Sequence, residues 1–462
     1  MIDVDYLIVG AGATGLGFAD RLLTNSAATM AIIDRRALPG GHWVDGYPFV
    51  RLHAPSVLYG VDSATLGHDG LDTAGLNAGL GHCARGAEII AHYEHCLHER
   101  LIPSGRVEYL PAHEMGEDGV VRQCLTGDAL AIGARKIVDA SYFTNAVPKT
   151  TPPPFPVDPE ARLIGPHELP ALATEHSDFV VIGSGKTGMD AVTFLIGIGA
   201  RAEQIRWIAP RDPWVYNREG LQAHPSHLKR MVELTAAQLD AMAYAASVDE
   251  FEDRMDQGEV WLRVDPAVRP TMFHAACASK RECAALRSVQ IIRQGYVRAI
   301  DAEAITLDGG KLQTSAQTLV VNCTASALTK KPPVPIFAEN RITMQFLRFP
   351  APAFSAAMIA EIETVAPEEE KNSYALPTGV TDVSADFLRT TLHQQLNQMA
   401  WNRNPQLRAF YRSTRLDALG RLVRSGDRED PALKPLFERI QEATPRAAEN
   451  IPKLLAQAAP AA

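Results

Sequence analysis

Y-L-I-V-G-A-G-A-T-G, Tyr6 to Gly15, is the stretch on which the fold turns. Four apolar residues lead into three glycines spaced G-x-G-x-x-G. Leu16 to Asn25 follows with helix-like apolar spacing, and Met30 to Ile33 is a second apolar run ending in Asp34. That is strand, turn, helix, strand, the order of a dinucleotide-binding unit. Gly10 permits the tight turn, Gly12 lets the backbone approach a pyrophosphate, and Gly15 lets helix and strand pack closely. The helix N-terminus then faces the anion, and Asp34 is placed to bind a ribose hydroxyl. The alternative for the same residues is a tight structural turn with a surface aspartate.

A second copy of the arrangement begins at Phe179 to Ile182 and passes through G-S-G-K-T-G, Gly183 to Gly188. An apolar helix runs to Gly199, and a strand lies around Ile205 to Ala209. The G-K-T within it resembles a P-loop, but a Walker A motif needs glycine at position 180, where Val180 stands inside the strand. Gly183, Gly185 and Gly188 instead match the dinucleotide pattern. The following strand ends in Ala209, Pro210 and Arg211 rather than an acid. An arginine there suits a 2′-phosphate, hence NADPH over NADH, unless Arg211 is solvated or pairs with Asp212.

Working outward, Glu88 to Arg100 has helical spacing, Arg106 to Met115 and Val120 to Leu125 read as strands, and Lys136 to Ala140 as a buried strand. Prolines 148, 152, 153, 154, 156 and 159 can continue neither helix nor ladder, which predicts an extended linker over 151–160. Residues 1–150 then form the first part of one domain and 161–330 a second domain. The second carries a polar, helix-prone insert over 221–256, and short strands at Val289 to Ile292, Tyr296 to Ile300, Ala304 to Leu307 and Thr318 to Asn322 return the chain to its core. Residues 331–462 complete the first domain and add a helical tail, with an alanine-proline end expected to fray. The expected fold class is α/β: two Rossmann-like domains, the second inserted into the first, with a helical insert and a helical C-terminal region.

At 462 residues there is room for about three domain-equivalents of roughly 150 residues. With 46% hydrophobic and 21% charged residues, disorder and coiled coil drop out. A formal charge of −9 argues against a broad nucleic-acid or anionic-membrane surface. The longest uncharged apolar stretch, Phe349 to Ala360, contains two prolines and falls short of the roughly 18 to 20 residues of a membrane helix. Met1 to Gly10 already reads as a strand and turn, so no signal or transit peptide is expected and the location is cytoplasmic. The six cysteines nowhere form C-x-x-C, which predicts reduced, mostly buried thiols and neither a zinc ribbon nor a dithiol centre. His224, His227 and His274 lack metal-ligand spacing, so no metal is expected. A homodimer is left open.

Two dinucleotide folds in one chain imply FAD plus a nicotinamide nucleotide. At this point the sequence resembles the two-dinucleotide-binding-domain flavoproteins, and within them the class B flavin monooxygenases: the flavin-containing, plant auxin-forming and Baeyer-Villiger monooxygenases. The distinguishing stretch is G-G-H-W-V-D-G-Y-P-F-V-R-L-H-A-P, Gly40 to Pro55, similar to the family's GG-x-W segment followed by Y-x-x-x-R-L-H-x-P. The resemblance spans roughly residues 1–330 and implies that Gly41, Trp43, Arg51 and His53 lie on the cofactor side. The bland alternative is a buried loop with Trp43 and Tyr47 as core aromatics. The chain departs from the family where relatives carry A-T-G, having Ala140-Ser141-Tyr142 and Thr324-Ala325-Ser326, and its F-x-G-x-x-x-H signature is reduced to Leu163, Gly165 and His167.

The resemblance further implies that NADPH reduces FAD, and that reduced FAD reacts with molecular oxygen to a C4a-(hydro)peroxide that passes one oxygen atom to a small organic substrate. His53 would hydrogen-bond the peroxide or relay a proton, since imidazole titrates near neutrality, or is a structural histidine. Arg281, in Ser279-Lys280-Arg281, is placed much like the Lys-Arg pair of Baeyer-Villiger enzymes whose arginine steadies the anion, or sits on an exposed helix face. A flavin reductase or dehydrogenase without oxygen insertion would carry the same motifs, as would a redox sensor that holds FAD without turnover. The walls over the flavin are expected from Leu221 to Asp256 and the C-terminal helices.

Overall fold

A computed structural model describes residues 2–143, 145–325 and 327–458. Ser326 and the alanine-proline end past residue 458 lie outside the described residues.

Two parallel sheets organise the chain. The first has six strands in the order Phe337–Ala338, Arg341–Thr343, Ile132–Asp139, Ile2–Val9, Met30–Asp34 and Val107–Pro111. All neighbours run parallel except the outermost hairpin of Phe337–Ala338 with Arg341–Thr343. The second has five parallel strands in the order Leu163–Ile164, Thr318–Asn322, Asp178–Ile182, Ile205–Ile208 and Gln290–Ile292. Met30–Asp34 and Thr318–Asn322 are buried at every position, as parallel strands covered on both faces must be, which is why they read as unbroken apolar runs.

The first sheet takes its strands from both ends of the chain, since residues 337–343 return to it after the second sheet is complete. The proline-rich connection between the sheets is tied down and turns at its end: Asp158 N donates to the Ile300 carbonyl at 2.8 Å, Ala161 N to the Asp158 carbonyl at 2.9 Å, and Phe155 packs into the second sheet's core.

The helix Pro352–Val365 is a feature that sequence periodicity does not reveal. Residues 353–363 are all buried, so no polar face marks a period. It packs along Ala13–Asn25, where a Cβ on Gly17 would stand 3.2 Å from that of Ala356. Among the described residues no helix is long and apolar enough to cross a membrane.

The insert forms Leu228–Tyr244 and Val248–Gln257. Its apolar faces join Trp214, Trp261, Phe273 and Leu388 and the C-terminal helix Lys434–Gln457 in a core of their own, with Trp261 stacked on Phe273 at 4.5 Å. Five cysteines are buried and Cys124 is exposed.

Candidate dinucleotide cavity

The two glycine loops are near copies of one another in three dimensions. Gly10 and Gly183 both adopt φ of +111°, a conformation that L side chains rarely take. A Cβ on Gly15 would lie 1.9 Å from the Gly10 carbonyl oxygen, and one on Gly188 would lie 1.9 Å from that of Gly183. The first glycine therefore makes the turn and the third lets the helix close upon it. The middle glycines differ: a Cβ on Gly12 would meet only Gly41 backbone, at 3.4 Å, and one on Gly185 would meet nothing within 4 Å.

Each middle glycine is the N-cap of a helix, Ala13–Asn25 or Lys186–Gly197, with no side-chain cap and no acid in its first turn. Uncapped N–H groups and the positive helix end thus face the space above the loops, which favours an anion.

Both loops open into one cavity of about 920 Å³. Of the residues singled out from sequence, Gly10, Gly12, Asp34, Gly41, Trp43, His53, Gly183, Gly185 and Arg211 line it. Gly15 and Gly188 stand behind the loops in the steric role just described. Arg51 and Arg281 lie off the wall: Nη1 of Arg51 donates to the Cys83 carbonyl at 3.3 Å, and Nη1 of Arg281 to the Ala78 carbonyl at 3.1 Å. The structure brings neither arginine to the cavity.

Asp34 Oδ2 accepts from Ala11 N and Oδ1 from Arg36 N, both at 2.8 Å, which holds the carboxylate against the first loop. In the second unit Ser184 Oγ, one residue past Gly183, donates to the Arg211 carbonyl at 2.6 Å and does the corresponding fastening. Arg211 does not pair with Asp212, which binds Arg293 instead; its Nη1 donates to Asp382 at 3.1 Å.

The expectation that His53 titrates near neutrality is corrected. Burial, the Lys186 ammonium and the Arg218 guanidinium pull its imidazole down to about 3, so it is a neutral hydrogen-bonding group. Arg218 Nε donates to the His53 carbonyl at 2.7 Å.

Several polar residues at this joint are not evident from sequence spacing. Tyr47 Oη donates to Asp190 Oδ2 at 2.7 Å, Lys186 Nζ pairs with Asp190 Oδ1, and Arg218 Nη1 pairs with Glu282 Oε2 at 2.5 Å. Burial opposes the ammonium of Lys186, but Asp190 and Glu282 outweigh it and keep Lys186 charged. Lys186 was visible only as the odd residue of G-S-G-K-T-G.

The upper walls include Phe143, Asn145, Met272, His274, Met344 and Phe346, with Phe143 stacked on Phe346 at 5.4 Å. Of the insert only Leu221 reaches the cavity, because the helices that follow spend their apolar faces on Lys434–Gln457. Asn145 Oδ1 is buried on this wall without a partner among the described residues. His274 bonds Asp382, and no group of three or more His, Cys, Asp or Glu among the described residues is arranged to hold a metal ion.

No protein-family model matches the chain. It is 37% identical over 98% of its length to uncharacterized proteins of Mycobacterium tuberculosis and Mycobacterium bovis, covering 85% of each. Among solved structures it is similar to cyclohexanone monooxygenase in its open form, at 15% identity and a TM-score of 0.50, covering 80% of this chain and 88% of that one. The ε-caprolactone-bound form of cyclohexanone monooxygenase gives 15% identity and a TM-score of 0.51 over the same shares. The chain belongs to one family with the mycobacterial proteins, and it has the fold of the class B flavin-dependent monooxygenases.

Proposed function

We propose that the protein is a cytoplasmic, FAD-dependent and NADPH-consuming monooxygenase that transfers one oxygen atom from molecular oxygen to a small organic substrate. The observation that carries this reading is the pair of uncapped glycine loops opening into one cavity. FAD takes the loop of Gly10, Gly12 and Gly15, with Asp34 at its ribose and Gly41 and Trp43 beside it. NADPH takes the loop of Gly183, Gly185 and Gly188, with Arg211 at its 2′-phosphate. Residues 1–150 with 331–462 serve as the FAD domain and 161–330 as the NADPH domain.

The open space over Gly185, the uncapped N–H groups of both helices and Asn145 Oδ1, without a partner among the described residues, fit ligands with phosphate and amide groups. Bound FAD supplies the oxygen-activating redox chemistry. The chain's part is to bind, orient and exclude water. The tethers at Asp34 and Ser184 fix the loops, and Phe143 and Phe346 keep the chamber apolar. His53, neutral on the cavity wall, donates or accepts a hydrogen bond there without adding charge. With Arg281 off the wall, Lys186 is a charged side chain on it, at the second loop.

Oxygen-18 labelling tests the reading. Under labelled oxygen and NADPH, with a pool of neutral candidate substrates, the label appears in an oxygenated product. Stoichiometric hydrogen peroxide with no labelled product makes the protein a flavin reductase or oxidase instead. A bound flavin that NADPH fails to bleach in the absence of air sinks both.

A further inference from the structure

Ile208 pairs with Ile182 in the second sheet as Ile33 pairs with Val9 in the first, so Ala209 stands at the position equivalent to Asp34 and the second unit has no acid of its own there. A carboxylate arrives from elsewhere. Asp382, from the segment just ahead of the helix Ser384–Arg403, accepts from Arg211 Nη1 at 3.1 Å and from Lys330 Nζ at 3.1 Å. His274 Nε2 lies 2.7 Å from its Oδ1.

Three basic side chains from three separate segments thus converge on one anion, and Arg211 and His274 lie on the cavity wall beside the second loop. The backbone of Asp382 is pinned as well: Phe273 N donates to its carbonyl at 2.8 Å, and its N–H donates to Asp386 Oδ2 at 3.0 Å. Although burial opposes its charge, His274, Lys330 and Arg211 hold its carboxyl down at about 2, so the group is anionic at any working pH.

We propose that Asp382 sets the choice between the two nicotinamide nucleotides: its carboxylate, held behind the wall residues Arg211 and His274 and bonded also to Lys330, already neutralises that cluster, so a 2′-phosphate must compete with it whereas a bare 2′-hydroxyl does not. This rests on the nucleotide reading of the second unit given above. Placing a like charge against one of two competing ligands is how a site rejects it without losing the other. The native protein therefore distinguishes NADPH from NADH less sharply than an unopposed Arg211 would make it.

Calorimetric titration of the flavin-loaded protein with NADP+ and with NAD+ reads this without turnover. Asp382→Asn keeps the size of the side chain and removes its charge. The dissociation constant for NADP+ falls on the order of tenfold, with that for NAD+ unchanged or raised. Lys330→Ala, on a side chain that is 65% exposed, weakens NADP+ alone, by about threefold. Equal shifts for both nucleotides, or weaker NADP+ binding in Asp382→Asn, overturn the proposal and leave Asp382 as a fastener of its segment. Unchanged NADP+ binding in Lys330→Ala overturns it even where the asparagine variant does not fold. If neither nucleotide binds the native protein, the nucleotide reading itself has failed, an outcome distinct from loss of selectivity alone.

Discussion

Tyr47 and Asp190 meet across the joint of the two units, the phenol donating to the carboxylate at 2.7 Å. Tyr47 belongs to the segment that wraps the first glycine loop, and Asp190 to the helix that the second loop opens. Asp190 in turn holds Lys186, so one buried network ties both loops together. Tyr47→Phe removes a donor from a buried carboxylate oxygen, at a cost of about 1–3 kcal/mol in urea unfolding. Flavin bleaching by NADPH slows in the same variant, because the loops lose their common anchor. An unchanged unfolding midpoint would show that the bond contributes nothing in solution.

The pair of Arg218 and Glu282 contributes to acid stability through one buried carboxylate. Glu282 is lowered from 4.5 to about 2, for although burial opposes its charge, Arg218 and Lys186 outweigh it. A depressed carboxyl stabilises the fold above its unfolded value, and that stability is lost as the pH falls from about 4.5 toward 2. The effect is on the order of 3 kcal/mol at neutral pH. Glu282→Gln flattens the acid limb of a stability profile over that window. It also lowers stability at pH 7 by about 3–5 kcal/mol, since Arg218 is left buried without its counter-charge.

His53 yields a prediction of absence. With its imidazole down at about 3, the rate of flavin reduction shows no step from this residue between pH 5 and 8. His53→Gln, which keeps a neutral hydrogen-bonding side chain, retains the pH profile of the native protein. A native inflection between about pH 6 and 7 that vanishes in the variant would mean the residue titrates and acts by proton transfer.

Steric necessity explains what the sequence reveals of this molecule. Gly10, Gly15, Gly183 and Gly188 are legible because no other residue fits the turn or the 1.9 Å approach, and the apolar runs beside them because a parallel strand is buried on both faces. The helix Pro352–Val365 is hidden because burial on all sides erases the period that would announce it. The joint of Tyr47, Asp190, Arg218 and Glu282 is hidden because its members lie far apart in sequence and the three charged ones carry no local sign of burial. Arg281 shows the converse. Its Ser-Lys-Arg context suggests the cavity, yet the helix Lys280–Arg287 turns it outward to the Ala78 carbonyl.

Gly185 and Gly188 separate binding from folding within a single loop. Alanine at position 188 drives its methyl to within 1.9 Å of the Gly183 oxygen, so Gly188→Ala must displace backbone, and the thermal midpoint falls sharply. Position 185 has φ of −73° and ψ of 178°, conformations open to any residue, and a methyl there meets no atom of the protein within 4 Å. Gly185→Ala therefore leaves stability within about 0.5 kcal/mol of the native value. Its methyl occupies the space through which a pyrophosphate approaches the helix end, so NADP+ binding weakens on the order of tenfold while the flavin is retained. Differential scanning calorimetry beside a nucleotide titration reads both quantities on one preparation. If Gly185→Ala binds NADP+ as the native protein does, the phosphates do not run over this loop, and the assignment of the nucleotide to the second unit is lost.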